Sequence, residues 1–209
     1  MGNLPTEKDR VKRSPSIERL LGEVRACTVC AAHLPFEPRP VLHAGTKARL
    51  MIVGQAPGRR VHETGIPWND PSGDRLRLWL QMTREEFYDE SRIAIIPTGF
   101  CYPGTGRGGD LPPRPECAPL WHPLLRAALP DVFLTLLIGS FAQAYYLGDR
   151  RKRTLSETVL AYGEYLPEFL PLPHPSPRNI RWFKARPWFD AEVVPELRGR
   201  VNEVLMRSI

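Results

Sequence analysis

The sequence predicts a three-layer α/β/α domain around a central four-stranded, mostly parallel sheet, and three observations carry that prediction. Short apolar runs recur at residues 49–53, 93–98, 132–138 and 169–172, each of strand length and bounded by turn residues. Helical patterns separate these runs, as strand–helix alternation in a parallel sheet requires. The run at 132–138 is apolar almost throughout, so both of its faces must be covered. With 209 residues, 42% hydrophobic and 25% charged, the chain suits one domain with a core of its own.

The elements follow in order. Residues 1–13 are charged and patternless and read as a loose leader to a single domain over 14–209. Ser14-Pro15-Ser16 opens a helix whose apolar positions Ile17, Leu20, Leu21 and Val24 keep the 3.6-residue period. It runs into Cys27 and Cys30, and Pro35, Pro38 and Pro40 then mark an extended connection. Strand one ends in the loop Gly54-Gln55-Ala56-Pro57-Gly58. Ser72 or Asp74 is placed to cap a helix carrying Leu76, Leu78, Trp79, Leu80 and Met82, and Thr83 with Glu86 spells a capping box.

After strand two, the Gly- and Pro-rich segment from Gly99 to Pro115 reads as a loop without structure of its own. Cys101 within it and Cys117 just beyond mark it as functional. Leu120, Leu124, Leu125 and Leu129 describe a helix bent near Pro123. Strand three leads through Gly139-Ser140 to a short helix reaching Leu147, and a second short helix spans 156–161 before strand four. The last helix begins near Pro187, has Val193, Val194, Leu197, Val201, Val204 and Leu205 as its apolar face, and takes Pro195 as a kink.

A net charge of +6, with basic groups at Arg59-Arg60, 150–153 and 178–186, favours a polyanionic partner. No apolar run has the length of a membrane span and the N-terminus has no signal-peptide core, so a cytoplasmic protein is expected. In a reducing compartment the four cysteines, Cys27, Cys30, Cys101 and Cys117, read as a metal or cluster site before they read as unrelated thiols. Zinc and an iron–sulfur cluster both accept four thiolates. No Gly-x-Ser-x-Gly elbow is present, which disfavours a serine hydrolase of the α/β type.

In open parallel sheets, ligands bind beyond the carboxyl ends of the strands. Strand four is followed by His174-Pro175-Ser176-Pro177-Arg178-Asn179, whose two prolines fix φ and hold the histidine out of helical geometry. Alone, that hexapeptide is one more turn in a chain with 23 prolines. Paired with the loop after strand one, it puts Gln55 and His174 in reach of one cleft.

Together, Gly-Gln-Ala-Pro-Gly at 54–58 and His-Pro-Ser-Pro-Arg-Asn at 174–179 resemble the two active-site motifs of the uracil-DNA glycosylase superfamily. The first is similar to the Gly-Glu-Ala-Pro-Gly of the iron–sulfur type, family 4. The second is similar to that of the single-strand-selective uracil glycosylases. The resemblance implies that His174 donates a hydrogen bond to the oxygen of a departing base flipped out of DNA. It places Gly54, Ala56, Trp68 and Thr98 around that base, with Trp68 stacking on it. Pro57, Gly58, Pro175, Ser176, Pro177, Arg178, Asn179 and Arg181 would lie along the DNA. The cysteines would hold a [4Fe-4S] cluster with a structural role.

Three departures stand out. Ala56 replaces the Asp or Asn that positions water in many members, and Gln55, which replaces a catalytic Glu, cannot act as a base. Asp70 is therefore the candidate carboxylate, followed by Glu63 and Asp74. The uracil-reading asparagine is missing from Ile96-Pro97-Thr98-Gly99-Phe100. The expected function is hydrolytic removal of uracil or a related deaminated base from single- or double-stranded DNA. The alternative is a weak or inactive member that binds nucleic acid and keeps the cluster for structure or sensing.

Overall fold

The structure is a computed structural model that describes residues 16–207; the leader read at 1–13 lies outside them, as do Ser14 and Pro15. Four strands, β1 (Leu50–Val53), β2 (Ile93–Ile95), β5 (Leu134–Ile138) and β6 (Phe169–Leu172), form one sheet in the order β2-β1-β5-β6, and every pairing is parallel. The sheet is thus wholly parallel. Strands two and three are shorter than their apolar runs.

Alternate residues of each strand feed two separate cores, as the pleat dictates. Met51 and Val53 face α1 (Ile17–Arg25), α5 (Cys117–Ala127) and α6 (Ser140–Leu147). Leu50 and Ile52 face α3 (Pro71–Leu80), α4 (Arg84–Phe87), α7 (Leu155–Leu160) and α9 (Val194–Met206). Two short helices, α2 (Arg59–Thr64) and α8 (Ile180–Lys184), follow the two motif loops directly. No described helix is long and apolar enough to cross a membrane.

Four expectations are corrected. The cap of α3 is Asp70, whose Oδ1 accepts from the Gly73 N–H at 2.8 Å, and not Ser72 or Asp74. The segment 99–115 contains an antiparallel hairpin of β3 (Thr105–Gly106) and β4 (Gly109–Asp110). Of the four leucines read into α5, Leu120 and Leu124 are 43% and 47% exposed while Leu125 and Leu129 are buried, and Cys117, Ala118 and His122 complete the inner face. The chain enters α9 through a π turn at Phe189–Val193, and Pro195 sits in the first turn, where its missing N–H costs nothing. The capping box at Thr83 and Glu86 forms as read, and a second, at Thr154 and Glu157, starts α7.

Candidate active site

Both motif loops leave the carboxyl edge of the sheet. His174 and the Gly54–Gly58 loop line one pocket with Trp68, Asp70 and an apolar floor that includes Val41, Ile95 and Pro97. The Gly54–Gly58 loop is held from below by residues after β2. The N–H groups of Thr98 and Gly99 donate to the carbonyls of Gly54 and Gln55 at 3.0 and 2.9 Å. The buried Thr98 hydroxyl donates to the Gln55 carbonyl at 2.6 Å. Thr98 therefore braces the loop and does not line the pocket. The Gln55 side chain donates its amide N–H to the Leu111 carbonyl at 3.2 Å, tying the loop to the hairpin segment.

The histidine is held by its own loop. The Ser176 N–H donates to Nδ1 at 3.2 Å, so the neutral ring carries its proton on Nε2. Burial lowers the pKa of His174 and favours that neutral form, while the nearby Asp70 carboxylate pulls the other way. The Asn179 side chain donates to the His174 carbonyl at 2.8 Å, and Arg75 donates to the Ser176 carbonyl at 3.3 Å. Sequence reasoning missed Arg75, which sits on a helix face with no apolar or motif signal.

Trp68 is the most constrained residue of the site. Its φ is 55°, a region that costs a non-glycine residue about 1–3 kcal/mol and persists only where its surroundings enforce it. They do. The buried Arg77 guanidinium donates to the Trp68 carbonyl at 3.3 Å, and the Tyr88 hydroxyl donates to the Pro67 carbonyl at 2.7 Å. A Cβ on Gly73 would lie 1.7 Å from the Trp68 carbonyl oxygen, and one on Gly54 would lie 2.9 Å from the indole ring. The indole centroid stands 5.5 Å from the His174 ring.

Asp70 lines the pocket as well as capping α3, and its second oxygen bonds no other group among the described residues. Neither Glu63, paired with Arg59, nor Asp74, paired with Arg77, lines it. Outside the pocket a broader groove runs between Ser176–Asn179 on one side and Gly108–Asp110 of the hairpin on the other. Ala56 and Gly58 lie on its floor and Arg178 reaches across towards Gly109. Pro57 lines the pocket, Pro175 is buried, and Arg181 is exposed on α8 without lining either space.

The family model described as the uracil DNA glycosylase superfamily matches residues 42–198. The chain belongs to that superfamily. Its members act on DNA as hydrolases of N-glycosyl bonds, in repair. In this glycosylase-type chain, the match spans β1 through the first turn of α9 and includes both motif loops.

The four cysteines line a second, smaller cavity on the far side of the 97–101 segment. Burial pushes the Cys101 and Cys117 thiols up to about 11 and about 12, and the neighbouring sulfurs add to the effect. The backbone N–H groups of Arg39 and Phe100 oppose it by facing the Cys101 and Cys117 sulfurs. Among the described residues, no group of three or more His, Cys, Asp or Glu is gathered tightly enough for a single metal ion. A four-iron cluster interposes its own iron and sulfide atoms, so its thiolates stand further apart than those around one zinc ion. Four sulfurs around one space, two with N–H donors, suit such a cluster.

Proposed function

We propose that this protein, acting as a monomer, hydrolyses the bond between deoxyribose and uracil, or a related deaminated base, in DNA. The observation that carries the reading is the Ser176 N–H on His174 Nδ1, which leaves an Nε2 donor on a half-buried, neutral imidazole in a pocket that also holds Trp68 and Asp70. As the C1′–N bond breaks, its electron pair moves into the base and charge collects on a ring carbonyl oxygen. A preorganised donor there is worth about 100- to 1000-fold in rate. The free oxygen of Asp70 orients the water whose oxygen bonds to C1′, and the proton it loses ends on the base. Asp70 takes this role because Gln55 and Ala56 supply no ionisable group and the Gln55 amide is engaged with Leu111.

The same reading assigns Cys27, Cys30, Cys101 and Cys117 to a [4Fe-4S] cluster of the family 4 type. Its chemistry when bound is structural: it would tie the end of α1 to the 97–117 segment. A brown, iron- and sulfide-containing protein whose colour is lost in Cys101→Ser supports this, and a colourless zinc protein refutes it.

The activity is tested with single- and double-stranded oligonucleotides carrying uracil, hypoxanthine or xanthine, followed by alkaline cleavage. Scission by the native protein and its loss in His174→Ala are expected. Binding to every strand with scission of none would replace the enzyme by a nucleic-acid-binding member of the superfamily.

A further inference from the structure

The reaction pocket lies between the ends of β1 and β2. Strand order reverses between β1 and β5, and the crevice at such a reversal is where open α/β sheets take ligands. A cavity of about 290 Å³, against about 50 Å³ for the reaction pocket, opens beside that crevice, reached by Gln55 from the β1 side, by Ile138 and Gly139 from the end of β5 and by Pro173 and His174 from the end of β6. We propose that it receives the base next to the excised one, unstacked from a single strand of DNA. The proposal rests on the DNA reading above and adds a second base-binding site to it.

The walls suit a flat ring. Phe141, 37% exposed at the start of α6, faces the same space as Trp182 of α8, Leu155 and Pro173. Trp182 is fixed by its indole N–H donating to the Ser156 hydroxyl at 3.0 Å. Gln55 and His174 line this cavity and the reaction pocket alike, so one polynucleotide can fill both with successive residues. Charge complementarity favours a polyanion. Leu155 follows the basic run 150–153, in which Arg153 is largely exposed, and Trp182 sits between Arg181 and Lys184, with the Arg186 guanidinium 4.9 Å from its ring. In a duplex the neighbouring base stays stacked and paired, so only an opened strand can use this site.

The test is binding, independent of catalysis. Short fluorescent single strands carry 2′-fluoro-deoxyuridine, which resists excision, with an intact base or an abasic tetrahydrofuran at the position before or after it. Removing one neighbour is expected to weaken binding to the native protein about 5- to 150-fold, as loss of one base–aromatic stack does. Phe141→Ala should bind the intact strand that weakly and should no longer distinguish the two. Leu155→Trp, which fills the cavity without emptying the core, should behave the same way. Equal affinity for all strands, in the native protein and both variants, overturns the proposal. Free uracil displacing no strand but quenching Trp182 would assign the cavity to the released base and also overturn it. A neighbour effect without excision of any uracil strand would sustain this site while refuting the glycosylase reading.

Discussion

The reaction pocket and the cysteine cavity flank one short segment, residues 97–101, and differ in how their polar atoms are satisfied. Around the pocket the chain supplies its own partners. Ser176 and Asn179 hold His174, Arg77 holds Trp68, and Thr98 and Gly99 hold the Gly54–Gly58 loop. Around the cysteines it leaves buried thiols whose ionisation burial opposes. A pocket whose groups are already held keeps its geometry by itself, whereas buried thiols are costly to ionise unless a cation meets them.

The largest test of that contrast is His174→Ala. It should lower the single-turnover excision rate about 100- to 1000-fold while leaving the thermal midpoint nearly unchanged. A large fall in midpoint would instead make His174 a packing residue.

Next is His122, which donates from Nε2 to the Pro97 carbonyl at 3.0 Å and accepts at Nδ1 from the Tyr146 hydroxyl at 2.7 Å, and so fixes the start of the shared segment. Burial lowers its pKa to about 4 from an unfolded value of 6.5. Between those values the unfolded chain binds more protons, so this contribution is complete above 6.5 and is lost as pH falls through the folded pKa. The loss should reach roughly 3 kcal/mol near pH 4, and urea melts of His122→Phe should show a shallower pH dependence by that amount.

Gly54→Ala places a methyl 2.9 Å from the Trp68 indole, and should cost about 1–3 kcal/mol and reduce excision together with it. The smallest effect belongs to Thr98→Val, which removes the bonds to Gly54 and Gln55 at about 1 kcal/mol and should perturb excision more than cluster content. The reverse order of sensitivity would mean that the segment serves the cysteines first.

Much of this was legible. Periodicity placed the strands and most helices, and the proline-flanked His174 loop and the Gly54 loop were readable because their residues restrict the backbone by themselves. The misreadings differ in cause. The Asp70 cap is local, its Oδ1 accepting from the Gly73 N–H three residues on, and Ser72 and Asp74 offered equally good capping residue types beside it. The 99–115 hairpin is also short-range, but the bond that ties its end to Gln55 joins residues distant in the chain, which no local pattern announces. Thr98 was expected at the base because of its place before Cys101, yet its hydroxyl turns to the backbone of Gly54 and Gln55, a choice open only once β1 and β2 lie side by side.

By itself, then, the order of residues determined the layered α/β/α plan, the two loops that carry the chemistry and the superfamily to which they belong. Burial patterns and proline or glycine constraints act within a few residues of where they are written. Only the tertiary structure decided the tautomer of His174, the enforced backbone of Trp68, the gathering of four cysteines around one space and the larger cavity beside the pocket. Those features are products of contacts between segments far apart in the chain, and close packing fixes such contacts only when the whole domain is assembled.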